Sequence, residues 1–145
     1  NLLLSQSKRM NSKIAVLFID LDGFKQINDR HGHNAGDLLL IEISNRLKKS
    51  VRDSDTIARW GGDEFIILLN NVDGIANIDI FVKRILKDCI QPVKINNKLS
   101  VTISLSIGIS IFPENADNKI HLLELADKAM YVAKQKDDIN HYYSD

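Results

Sequence analysis

Ile57-Ala58-Arg59-Trp60-Gly61-Gly62-Asp63-Glu64-Phe65-Ile66-Ile67-Leu68-Leu69 is the stretch whose reading decides the fold. An apolar segment enters, two glycines follow, and a second apolar segment leaves. This is the pattern of a β-hairpin, with glycines supplying the positive φ of a tight two-residue turn. The second strand opens on two acids, Asp63 and Glu64. Carboxylates are depleted in strands, so the pair calls for a reason: solubility at an exposed turn, or a site.

Upstream, Ile14-Ala15-Val16-Leu17-Phe18-Ile19 is a continuous apolar run rich in branched residues, which predicts a central strand buried on both faces. It runs directly into Asp20-Leu21-Asp22, so a buried strand delivers carboxylates to the edge of a sheet. Gly23-Phe24-Lys25-Gln26-Ile27-Asn28-Asp29 reads as one or two helical turns, His31-Gly32-His33-Asn34 as a turn, and 35–50 as a helix carrying Leu39, Ile43 and Leu47 on one face. Residues 1–12 read as a short helix or lead-in.

Downstream, Ile78, Phe81, Val82, Ile85, Leu86 and Cys89 form the apolar stripe of a helix that Pro92 stops. Asn96-Asn97 marks a second hairpin turn. From Leu99 to Ile111 apolar and small polar residues alternate strictly, which predicts one long strand with a single face in the core. A last helix over 119–136 turns Leu122, Leu125, Ala126, Ala129, Met130 and Ala133 inward, and 139–143 closes the chain as an edge strand. Strands and helices mixed with at least two hairpins argue for an α+β fold, a mostly antiparallel sheet with helices on its faces.

With 145 residues the chain makes one domain with a real core. Apolar residues make up 44% and charged residues 26%, and 19 basic residues balance 19 acidic ones. That balance argues against nucleic acid or an anionic membrane as a partner, so an anionic ligand has to be held by local charge. The single cysteine, Cys89, offers no disulfide framework and reads as a core residue of an intracellular chain. No apolar run approaches the roughly 20 residues of a membrane span. The chain starts without methionine, and we expect a fragment of a longer protein, acting in the cytoplasm.

Four constellations carry chemistry. Asp20-Leu21-Asp22-Gly23-Phe24-Lys25 is either a solvated loop or a strand-to-helix turn that cradles phosphates beside a metal-holding acid. Mg²⁺ on a nucleotide needs only one or two protein carboxylates plus phosphate oxygens, and Asp20 and Asp63 stand at the ends of strands that could be neighbours. Asn28 and Asp37 each read singly as helix caps. Asp127 and Lys134 share a helix face, as a surface ion pair would. Arg52-Asp53-Ser54-Asp55 is either a charged helix end or an arginine fork suited to phosphate and the Hoogsteen edge of guanine.

Gly61 to Phe65 spell the name-giving motif of the GGDEF domain, and the chain resembles a diguanylate cyclase, which joins two GTP into cyclic di-GMP. The resemblance runs in order through nearly the whole sequence. It implies a five-stranded sheet similar to the ferredoxin-like palm of polymerases and nucleotidyl cyclases, with residues 1–145 as one GGDEF domain. It implies metal ligation by Asp20, Asp63 and the carbonyl of Leu21, with Mg²⁺ or Mn²⁺ as cofactor, and a catalytic role for Glu64 near the reacting 3′-hydroxyl. Asn28 and Asp37 read guanine; Lys25 and Lys134 reach the triphosphate; Phe24, Gly61 and Gly62 complete the substrate-binding set. Arg52 and Asp55 form the inhibitory product site. Implied partners are GTP, cyclic di-GMP, a second copy in a catalytic homodimer, and attached sensor or EAL domains.

Two departures stand out. The family continues with Gly-Arg-Asn shortly after Lys134, where this chain has Asp137-Asp138-Ile139, and its Asn-Arg lead-in is here Asn1-Leu2. An acid in place of a phosphate-binding arginine favours a regulatory module that binds GTP or cyclic di-GMP without turnover. The tail from Pro113 through His141-Tyr142-Tyr143, similar to GGDEF domains fused to an EAL phosphodiesterase, favours it too. The intact acids and guanine pair favour an active cyclase.

Overall fold

The structure, a computed structural model, describes residues 2, 4–5, 12–136 and 140–145. Its elements are β1 (Lys13–Asp22), α1 (Phe24–His31), α2 (His33–Ser50), β2 (Thr56–Arg59), β3 (Glu64–Val72), α3 (Ile75–Cys89), β4 (Val93–Asn96), β5 (Leu99–Val101), β6 (Ser104–Phe112), α4 (Lys119–Gln135) and β7 (His141–Tyr143). Five strands form one sheet in the order β2-β3-β1-β6-β7, and β4 pairs with β5 apart from it. Every pairing in the main sheet is antiparallel except β6 with β7. The mostly antiparallel α+β sheet expected from the sequence is the one observed.

β1 sits in the middle because its residues are apolar on both faces. Ala15, Leu17, Ile19 and Leu21 point into a core shared with α2 and α3. Ile14, Val16 and Phe18 point into a second core shared with α4. The helical stripes are buried as their spacing predicts: Leu39, Ile43 and Leu47 on α2, and Ile78, Phe81, Val82, Ile85 and Cys89 on α3. Burial pushes the Cys89 thiol up to about 11, so it is an inert core group. Of the predicted N-terminal helix, Leu2, Leu4 and Ser5 are helical and the rest lies outside the described residues.

Three expectations are corrected. The hairpin between β2 and β3 is not a two-residue turn: Trp60 to Asp63 form a four-residue loop, and positive φ among glycines occurs only at Gly23 and Gly32. The stretch from Leu99 to Ile111 is not one strand. It breaks at Thr102 and Ile103 because β5 pairs with β4 while β6 pairs with β1. The small polar face of β6 is not in solvent either. Ser106 and Ser110 are buried, and the Ser110 hydroxyl donates to the Leu122 carbonyl at 2.7 Å.

That face is small because α4 lies directly on it. A Cβ at Gly108 would come within 2.0 Å of both the Ala126 carbonyl oxygen and the Met130 nitrogen. The contacting atoms are backbone and cannot rotate away. Gly108→Ala therefore forces helix and sheet apart, and we expect a stability loss of about 1–3 kcal/mol or more. Urea unfolding of the two proteins measures it, and coincident midpoints would refute so close a seat for α4.

Candidate active site

The β1–β3 ladder sets Asp20 opposite Glu64, and the Leu21 amide donates to the Asp63 carbonyl at 3.2 Å. The end of β1 and the start of β3, far apart in sequence, thus deliver the carboxylates of Asp20, Asp63 and Glu64 to one place. β1 does not stop at Ile19; it continues through Asp22, and Gly23 alone (φ 73°) turns the chain into α1. Strand alternation then puts Phe18, Asp20 and Asp22 on the α4 face. From α4, the Lys134 ammonium donates to Asp20 Oδ2. The other oxygen, Oδ1, is buried and has no partner among the described residues.

Each of the other acids is positioned differently. Asp22 accepts from the hydroxyls of Ser104 (2.8 Å) and Ser106 (2.6 Å), which fixes the end of β1 against β6. Glu64 lies over Gly61, where a Cβ would sit 2.8 Å from its Oε1. A side chain at Gly61 would push the Glu64 carboxylate aside, and Gly61 is not there for positive φ. At Gly62 a Cβ would meet nothing, so that face of the loop is open. Arg59 staples the loop by donating to the carbonyls of Gly61 (3.2 Å) and Gly62 (2.8 Å).

Burial, chiefly, raises the Asp20 carboxyl above its ordinary value, and the Asp63 charge adds to this against the opposing Lys134 hydrogen bond. Glu64 is raised by burial first, then by Asp20, Asp63 and Asp127. Lys134 is raised in turn, mainly by its hydrogen bond to Asp20. A cluster of like charges with one buried, unpartnered oxygen is costly unless a cation shares it. Among the described residues no three His, Cys, Asp or Glu side chains form a metal cage. A nucleotide-borne cation needs fewer: Asp20, Asp63 and the Leu21 carbonyl fit that demand.

Asn28 lies on α1 with its Oδ1 buried and without a partner among the described residues, and Asp37 is exposed near the start of α2. The amide nests where Gly36 has no side chain: a Cβ there would fall 1.7 Å from Asn28 Oδ1. Phe24 is half-buried at the start of α1, and Lys25 is exposed beside it. Sequence reasoning missed Gly36, Arg59 and the Ser104/Ser106 anchor. Only their adjacency to Asp37, to the glycine loop and, across the sheet, to Asp22 marks them.

Arg52 and Asp55 lie apart from this cluster, after α2. Arg52 holds Asp55 through its side chain at 3.1–3.2 Å, and the backbone amides of Arg52 and Asn70 also donate to that carboxylate. Burial alone would raise the Asp55 pKa, but these hydrogen bonds outweigh it and hold it below the ordinary value. A cavity of about 260 Å³ beside the pair is lined also by Ser50, Phe81 and Arg84. Asp137, Asp138 and Ile139, where the sequence departs from the expected pattern, lie outside the described residues.

The profile of the family described as "Diguanylate cyclase, GGDEF domain" matches residues 1–139. The chain belongs to the GGDEF family. Diguanylate cyclase TpbB of Pseudomonas aeruginosa is 42% identical to this GGDEF domain over 133 residues, which are 92% of this chain and 31% of that protein. The bifunctional diguanylate cyclase/cyclic di-GMP phosphodiesterase MucR of the same organism is 44% identical over 92% of this chain and 19% of its own length. The chain thus spans a third or less of these relatives. The solved GGDEF domain of TpbB superposes with a TM-score of 0.95 at 39% identity, covering 99% of this chain and 89% of that one. The active GGEEF domain of a diguanylate cyclase from Vibrio cholerae gives 0.86 at 25% identity, covering 99% and 90%.

The raised Glu64 pKa makes a prediction with a definite sign. A carboxyl raised on folding costs nothing below its unfolded pKa and its full penalty above its folded pKa. Glu64→Gln removes that penalty, so at neutral pH the variant should melt about 1–3 °C higher, an effect kept small by solvent screening. In acid the difference should vanish. Calorimetric scans at the two pH values check this, and a variant less stable at neutral pH would contradict it.

Proposed function

We propose that this GGDEF domain is a diguanylate cyclase: two subunits, each carrying one GTP, meet face to face and condense their nucleotides into cyclic di-GMP. The observation that carries the reading is Asp20 beside Glu64 and Asp63, with a buried carboxylate oxygen that has no partner among the described residues. Asp20, Asp63 and the Leu21 carbonyl would hold Mg²⁺, or Mn²⁺ in its place. When bound, the ion supplies Lewis-acid polarisation of the phosphoryl oxygens and helps acidify the attacking hydroxyl.

The chain's own residues do the rest. Asn28 and Asp37 read guanine, the carboxylate accepting from N1–H and the 2-amino group, a donor pair adenine lacks. The start of α1, with no side-chain cap, offers its free amides to phosphate, with Phe24 and Lys25 beside it. Lys134 supplies a second cation to the triphosphate, and the open Gly61-Gly62 loop lets the nucleotide approach closely. Glu64, whose proton affinity is raised, would receive the 3′-hydroxyl proton. Each hydroxyl attacks the other nucleotide's α-phosphate, forming one phosphodiester bond and breaking one anhydride bond, so that pyrophosphate departs. We read residues 1–145 as one such domain working in the cytoplasm within a longer protein, as its relatives carry it.

A second reading is a module that binds GTP or cyclic di-GMP and regulates an attached domain. It is favoured by Asp138 and by the bifunctional relative. Under either reading Arg52 and Asp55 receive cyclic di-GMP. Arg52→Ala should then weaken cyclic di-GMP binding by about ten-fold or more, the loss of one charge-assisted contact. Calorimetry checks it, and binding indifferent to Arg52 would remove the site.

Incubation with GTP and Mg²⁺, followed by chromatography for cyclic di-GMP, separates the two readings, with a fused-dimer control in case the isolated domain fails to pair. Asp63→Ala and Asp20→Ala should each abolish turnover while circular dichroism stays unchanged. An alanine variant cycling GTP at the parent rate would contradict the metal assignment.

A further inference from the structure

We propose that Lys134 is an internal competitor for the metal site: its ammonium takes the Asp20 carboxylate against a bare divalent cation, and yields it when a triphosphate arrives. The inference rests on the metal assignment above and adds a coupling to it. Its basis is geometric. Lys134 Nζ donates to Asp20 Oδ2, one of the two oxygens of the carboxylate placed to hold the metal. A divalent ion on either oxygen of this carboxylate lies within a few ångströms of an ammonium held on Oδ2 and is repelled by it, so each occupancy weakens the other.

The pair is asymmetric in what can move. Asp20 stands near the end of the sheet's central strand with a side chain 10% exposed, whereas the Lys134 side chain is 39% exposed at the end of α4. Lysine's four-carbon stem reorients freely, so the lysine is the partner that leaves. Its alternatives within the protein are the other acids of the same cluster, Asp63 and Glu64. Asp22 is already taken on both oxygens by Ser104 and Ser106. A triphosphate brings several anionic oxygens at once and is a better partner than one half-satisfied carboxylate. Nucleotide binding then frees Asp20, and the metal enters with the nucleotide. Linkage makes the effect reciprocal: metal bound at Asp20 releases Lys134 for phosphate.

The test is Mn²⁺ binding without nucleotide, followed by electron paramagnetic resonance and calorimetry, in the parent, Lys134→Met and Lys25→Met proteins. Lys134→Met should bind Mn²⁺ about ten-fold more tightly, a usual size for coupling between two ligands. A non-hydrolysable GTP analogue should bind it more weakly. Lys25→Met removes one charge from the same region but breaks no contact with Asp20, and should leave Mn²⁺ affinity near the parent's. Unchanged affinity in Lys134→Met, or equal tightening in both variants, would overturn the proposal, because only bulk charge would then be at work. Adding Asp20→Asn to Lys134→Met separates this from the metal reading. The tightened binding should be lost, and if Asp20→Asn changes nothing the metal assignment itself falls, and the competition with it.

Discussion

The antiparallel pairing of β1 with β3 is the constraint on which the rest of the structure depends. It buries the most apolar strand of the chain, and its register sets Asp20 against Glu64 with Asp63 alongside. Burial of Leu17, Ile19, Phe65 and Ile67 favours the pairing, and the carboxylates are carried to its end at an electrostatic cost. A one-residue slip would exchange the two buried faces of β1 and carry Asp20 and Asp22 away from α4. The positions of the acids are therefore fixed by a core that has no chemistry of its own.

α4 completes the cluster from the other side. Its approach depends on the absence of a side chain at Gly108 and on the small face of β6, including Ser106 and Ser110. The same close seat brings Lys134 over Asp20. Helix packing and site electrostatics are thus one arrangement: whatever lifts α4 from the sheet also takes the lysine from the carboxylate.

The two charged regions of the domain behave in opposite ways. Asp55 is supplied with hydrogen bonds from Arg52 and from backbone amides, and its pKa falls. Asp20 and Glu64 are short of donors and crowded by other acids, and theirs rise. The satisfied pair leaves the exposed Arg52 side chain at the rim of a cavity. An unsatisfied acidic cluster is suited to a cation and to accepting protons.

The sequence by itself determined the elements and the chemistry they carry. Continuous apolar runs, helical stripes and the Gly61–Phe65 stretch identify strands, helices and family because these patterns are local and periodic. The acids, Asn28, Asp37 and Lys134 are legible as residues. Only the tertiary structure decided which of them meet, since strand register and helix seating depend on contacts far apart in the chain. Alternation along 99–111 left one face exposed to all appearance; α4, which covers it, lies in another part of the sequence. Gly61 reads as a turn former and Gly108 as one small residue of a strand, yet Gly36 and Gly108 matter for the room they leave beside Asn28 and α4, and Gly61 for the place of the Glu64 carboxylate. A missing side chain has meaning only once its neighbours are in place, and that information is absent from any local window of sequence.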